Sequence, residues 1–139
     1  MQAFFVQRNL DGFAHWMHLQ AEEETGHAER LFDYVHDRGG KVILAGLDAP
    51  RTDWKSPIEV MENALAHEKR VSQMIYDLVA VAKEENDYAT QTYLNWFVTE
   101  QIEEEATFSQ ILDDLALADG SAQAMLFLDR EFGTRGTVE

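Results

Sequence analysis

Apolar residues recur at alternating spacings of three and four along three long stretches of this chain, the pattern of helices with one buried face. The first stretch predicts a helix over 13–38, with the seam Phe13, Met17, Gln20, Glu24, His27, Leu31 and Tyr34. The second predicts a helix over 57–85, with Ile58, Met61, Leu65, Glu68, Ser72, Ile75, Val79 and Ala82 on one face. The third, over 88–117, aligns Leu94, Phe97, Gln101, Glu104, Phe108, Ile111 and Leu115. A shorter helix is expected over 122–132, followed by a polar tail.

Local punctuation sets the ends of these stretches. Asn9 or Asp11 is the expected N-cap of the first helix, and Gly39-Gly40 its stop. Ser56-Pro57-Ile58-Glu59 combines an N-cap serine, proline at the first helical position and the glutamate of a capping box. Glu85-Asn86-Asp87 is short enough to make the second and third helices antiparallel neighbours, and Asp119-Gly120 closes the third. Residues 41–55 lack helical periodicity; Val42, Ile43 and Leu44 suggest a short extended stretch within a long crossover. The expected fold is therefore all-α: a single domain, 1–139, built as an up-down helical bundle with one long crossover and a short C-terminal helix.

Each seam is interrupted by polar residues near its middle: Glu24 with His27, then Glu68, then Gln101 with Glu104. Packing helices of similar length side by side brings their midpoints to one level. Carboxylates clustered in a dry core repel and protonate unless a cation neutralises them. Glu24 and His27 are three apart, so a carboxylate and an imidazole leave one helix face together. One histidine among several glutamates suits iron, manganese or zinc better than calcium, and shared carboxylates suggest two bridged ions. The alternative is a metal-free polar network in which Gln101 and His27 satisfy Glu68 and Glu104. His15, His18, His36 and His67 fall off the seams and read as surface residues.

Composition narrows the partners. With 26 acidic and 11 basic residues the net charge is −15, which disfavours nucleic acid and anionic membranes and attracts cations. The chain has no cysteine, so a metal must be held by oxygen and nitrogen. No apolar run approaches the ~20 residues of a membrane span, and the opening Met1-Gln2-Ala3-Phe4-Phe5 lacks the regions of a signal peptide, so a cytoplasmic protein is the expectation.

Several stretches together resemble bacterial non-haem ferritins. Gln20 to Ala28, followed by Arg38-Gly39-Gly40, is similar to the second bundle helix of that family, and Asn95 to Glu105 to its fourth-helix motif. Asn9-Leu10 through Phe13-Ala14-His15-Trp16, and Phe127-Leu128-Asp129-Arg130-Glu131, match family stretches as well. The resemblance implies that Glu24 bridges two irons, His27 ligates the first, and Glu68 with Glu104 ligates the second. Gln101 is then a near neighbour of the di-iron site. Glu23, Glu100 and Glu103, with Glu104 shared, resemble the third iron site of some bacterial members. A bacterioferritin would carry a second Glu-x-x-His here, but Glu100 is followed by Glu103 and Glu104 by Thr107. Thr25 stands where its haem methionine would fall, so no haem is expected.

Against the family pattern, the sequence starts near the end of the first bundle helix. Met1 to Gln7 reads as its remnant, that helix is largely missing, and one first-site glutamate with it. Three seams without a fourth wall predict an apolar groove lined by Phe13, Met17, Leu31, Ile58, Met61, Leu65, Leu94, Phe97 and Phe108. The resemblance implies an iron-storage subunit and ferroxidase: Fe(II) bound at the carboxylate site, oxidised by dioxygen or peroxide, and stored as mineral in a homo-oligomeric shell. The missing glutamate would impair the oxidation. The alternatives are a subunit that binds iron but oxidises it poorly, or a structural helical subunit without metal chemistry, with a groove-mediated dimer in place of the shell.

Overall fold

A computed structural model of the chain describes residues 1–136. Among them every regular element is helical: α1 (Gln2–Val6), α2 (Asp11–Asp37), α3 (Pro57–Glu84), α4 (Tyr88–Ala118) and α5 (Ala122–Phe132). None of these helices is long and apolar enough to cross a membrane. The helices fall into two compact units, one built from α1, α2 and α5 with the segment up to Trp54, the other from α3 and α4.

The first unit is held by aromatic side chains. Phe5 stacks on Phe13 with ring centroids 5.1 Å apart, and Phe132 of α5 packs against Phe13 in a tilted arrangement at 4.5 Å. Phe4 meets both Phe5 and Trp54 edge-on. Five residues are too few for a helix to persist by itself. Burying Phe4 and Phe5 is what holds α1 in place.

The start of α2 departs from the local signals. Its N-cap is Leu10, not Asn9 or Asp11, and Leu10 has no capping side chain. Asn9 instead takes a left-handed turn with φ 57°, and Asp11 lies inside the first turn. The orphan N–H of Phe13 is accepted by Asp129 Oδ1 of α5 at 3.0 Å. A distant helix thus supplies the cap that the local sequence lacks. This requires α5 to lie almost against the backbone, and Gly12 permits it: a Cβ there would sit 1.6 Å from the Asp129 carbonyl oxygen.

The end of α2 uses Gly39 at φ 73°, and the crossover that follows is irregular. Val42, Ile43 and Leu44 form no strand; Ile43 and Leu44 are 82% and 86% exposed. Without a partner strand the backbone there has nothing to pair with.

The second unit is an α3–α4 hairpin. Ser56 Oγ accepts from Glu59 N–H at 3.2 Å, and Glu59 Oε2 accepts from Lys55 N–H at 2.6 Å, one residue outside the box the sequence suggests. Asn86, at φ 55°, reverses the chain, and Asp87 caps α4 by accepting from Thr90 N–H at 3.1 Å. Asp119, φ 44°, and Gly120, φ 71°, end α4. The inner faces carry Met61, Ile75, Leu94, Phe97, Phe108, Ile111 and Leu115, all buried. Ile58 is 39% exposed, while Val60 in the same turn and Met61 after it are fully buried.

The apolar groove expected from a missing wall is not open on its named residues. Six of the nine, Phe13, Met17, Met61, Leu94, Phe97 and Phe108, are buried. For Phe13 the reason is visible: Phe5 and Phe132 of the same chain cover it.

Candidate metal centre

On α2 the polar residues of the seam share one side of the helix, as 3.6-residue periodicity requires. Gln20 is buried, and Glu23, Glu24 and His27 are half-buried in the next turns. His27 Nδ1 lies 3.5 Å from Glu24 Oε2, while Oε1 of Glu24 is sealed from solvent. A Glu23 carboxylate oxygen also lies within 4.8 Å of a His27 ring nitrogen. Two acids and one imidazole thus converge on one side of α2, a donor set that borderline metal ions favour.

On the α3–α4 hairpin the acids are deeper. Glu68 and Glu104 are 4% and 6% exposed, and Gln101 is equally buried. Gln101 Nε2 donates towards Glu68 Oε2 at 3.3 Å, the Glu68 carbonyl at 3.2 Å and Ser72 Oγ at 3.4 Å. Ser72 Oγ in turn donates to Glu105 Oε1 at 2.5 Å. The amide orders Glu68, which is one half of the metal-free network the sequence allows. Being neutral, it does not cancel the charge of the carboxylate.

Glu100, Glu103 and Glu104 are neighbours on α4 at spacings of three and four. Only Glu104 is buried; Glu100 is half-buried and Glu103 exposed. The remaining histidines are all exposed. His36 Nδ1 is 2.9 Å from the Phe32 carbonyl, His18 faces Glu22 at 3.6 Å, His67 lies beside Arg70, and His15 Nε2 is 3.1 Å from the Arg135 carbonyl.

Two features escape the sequence patterns. Glu105 sits beside the seam, and its tie to Ser72 is visible only once α3 and α4 are paired. Arg135 lies in the polar tail, where no periodicity operates. It reaches back to α2, donating to Glu23 Oε2 at 2.5 Å and Gln20 Oε1 at 2.9 Å.

Comparison with known proteins gives the family. Residues 1–118 match the family model described as a ferritin-like domain. The bacterial non-heme ferritin of Bacteroides fragilis is 41% identical over 135 residues, covering 97% of this chain and 84% of that protein. The Staphylococcus epidermidis protein of the same name is 36% identical over 139 residues, again with 84% of its length covered. Among solved structures, an engineered closed form of the Archaeoglobus fulgidus ferritin superposes with a TM-score of 0.97 at 40% identity, over 99% of this chain and 84% of that one. The open-pore ferritin from the same archaeon gives 0.96, also at 40% identity, over 98% and 84%. An all-helical fold with carboxylates buried in its seams, matched at this identity over nearly its whole length, belongs to the ferritin family.

Proposed function

We propose that the chain is an iron-storage subunit that binds Fe(II), oxidises it to Fe(III) and passes it to a mineral held within a homo-oligomeric shell. The observation that carries this reading is the Glu24–His27 pair, set mid-seam in a chain of the ferritin family with Glu24 Oε1 out of reach of water. In it the α2 donors, Glu24 and His27, and the α3–α4 donors, Glu68 and Glu104, serve the same two iron ions. Glu24 bridges them, His27 ligates the first, and Glu68 with Glu104 ligates the second. Gln101 keeps Glu68 in its ligating rotamer.

The chemistry follows from the donors. Anionic oxygens stabilise Fe(III) more than Fe(II), so binding favours loss of an electron. Two Fe(II) supply the two electrons that take dioxygen to peroxide, or peroxide to water. Glu23, Glu100 and Glu103, with Glu104 shared, offer a third, weaker site.

One observation favours a second reading. Gln101 already hydrogen-bonds Glu68, as a structural subunit without metal chemistry would require. Anaerobic titration with Fe(II) decides between the two. Two tight ions per chain, lost in Glu24→Ala, support iron storage; no tight binding supports the structural subunit.

A further inference from the structure

Arg135 makes all its described side-chain contacts on one stripe of α2. Its guanidinium bonds Gln20 Oε1 and Glu23 Oε2, and its central carbon lies 4.7 Å from the centre of the Trp16 ring. Trp16, Gln20, Glu23 and His27 follow one another at spacings of four, three and four, so the stripe runs directly from the arginine to the metal-type histidine. Glu23 stands between them, paired with Arg135 at 2.5 Å and with an oxygen within 4.8 Å of a His27 nitrogen. The pair is largely withdrawn from water, with the Arg135 and Glu23 side chains 21% and 16% exposed.

We propose that Arg135 is the resident counter-cation of Glu23. It holds the carboxylate against α2 and must release it before Glu23 can take a metal ion, which places Glu23 last in the order of loading. A guanidinium hydrogen-bonded to a carboxylate shielded from water competes with a divalent ion for the same oxygens. The cation–π contact with buried Trp16 and the bond to Gln20 fix the guanidinium in that place, so the competition is built in and not a chance encounter of a surface side chain. Arg135 is a positioning residue here: it touches Glu23, not the iron. The inference rests on the iron-site reading above and adds the control of its outermost ligand.

The test is an anaerobic titration with Zn(II), which is redox-inert, on the full chain and its variants. Arg135→Ala should tighten the weakest zinc site by roughly tenfold, the order expected when one charge-assisted bond no longer competes. Arg135→Lys should restore much of the native affinity, and Glu23→Gln in the Arg135→Ala background should abolish the gain. The tightly bound ions should not change. An unaltered weak site in Arg135→Ala, or a gain that survives Glu23→Gln, overturns the proposal. Amide hydrogen exchange without metal provides an independent readout at Gly133, Thr134 and Arg135, whose N–H groups are bonded to the last turn of α5. Arg135→Ala and Glu23→Gln should each speed it, and the double variant should add nothing; additive effects overturn the pairing. If no variant or native chain binds zinc at all, the iron-site reading fails and the loading order with it, while exchange still reports whether Arg135 and Glu23 act as a pair.

Discussion

Glu24 and His27 lie three residues apart on α2, and as half-buried metal ligands they should respond to substitution unlike the exposed histidines. Glu24→Ala should weaken iron binding by at least the 10–100-fold that outer-sphere changes around metal sites typically cause. His15→Ala and His36→Ala, at exposed positions bonded only to main-chain carbonyls, should leave it unchanged. Equal losses at all three, measured by anaerobic titration, would contradict the assignment. His27→Ala should weaken one ion and leave a state with a single metal bound. Gln101→Leu removes the amide that faces buried Glu68, and should destabilise the metal-free protein by about 1–3 kcal/mol in urea unfolding. Added metal should recover part of that loss. The seam residues were legible because burial on a helix follows a fixed period: the seven named on α4 are all buried. Arg135 and Glu105 were not, because their partners are reached through tertiary packing, across 112 and 33 residues.

Each helix shows how far local chemistry alone can specify an element. Ser56-Pro57 and Asp119-Gly120 mark their helix ends correctly because the capping atoms and the left-handed turn lie in the signal itself. The start of α2 does not follow its local signal, since its cap comes from Asp129. Asp129→Ala should therefore cost about 1 kcal/mol of stability, as loss of a local cap would. Gly12→Ala should cost about 1–3 kcal/mol or more, because the new methyl group and the Asp129 carbonyl cannot share the same space. Paired urea unfolding curves check both; a neutral Gly12→Ala would mean that α5 does not lie against α2. On α4, replacing Glu100 and Glu103 together should spare folding, because neither is buried, while altering iron turnover after the first two ions. Collapse of tight binding in that double variant would mean the wrong face of α4 has been assigned.

At the scale of the whole molecule, the acidic charge and the uncovered apolar side chains point towards assembly around a cationic cargo. Phe32 is 47% exposed beside a concavity of about 420 Å³ formed by Ala28, Leu31, Val35, Val42 and Leu44, and further apolar side chains lie open on α3 and α5. Exposed apolar surface in excess of a few hundred Å² is a mark of association. Sedimentation at low micromolar concentration should therefore show a homo-oligomer, and a compact monomer would contradict the shell. The bundle class was legible from three seams and their stops, because helix period and short turns determine which neighbours can pack. The expected groove is closed at Phe13, because a count of seams leaves out the aromatic residues of α1 and α5 that cover that ring. The central claim, that dioxygen oxidises iron held by the seam carboxylates, is tested most directly by stopped-flow mixing of Fe(II) with the air-saturated protein. A fast phase that saturates at about two Fe(II) per chain, and disappears in Glu24→Ala, is the predicted result. Oxidation no faster than in buffer, or unchanged by Glu24→Ala, would contradict it.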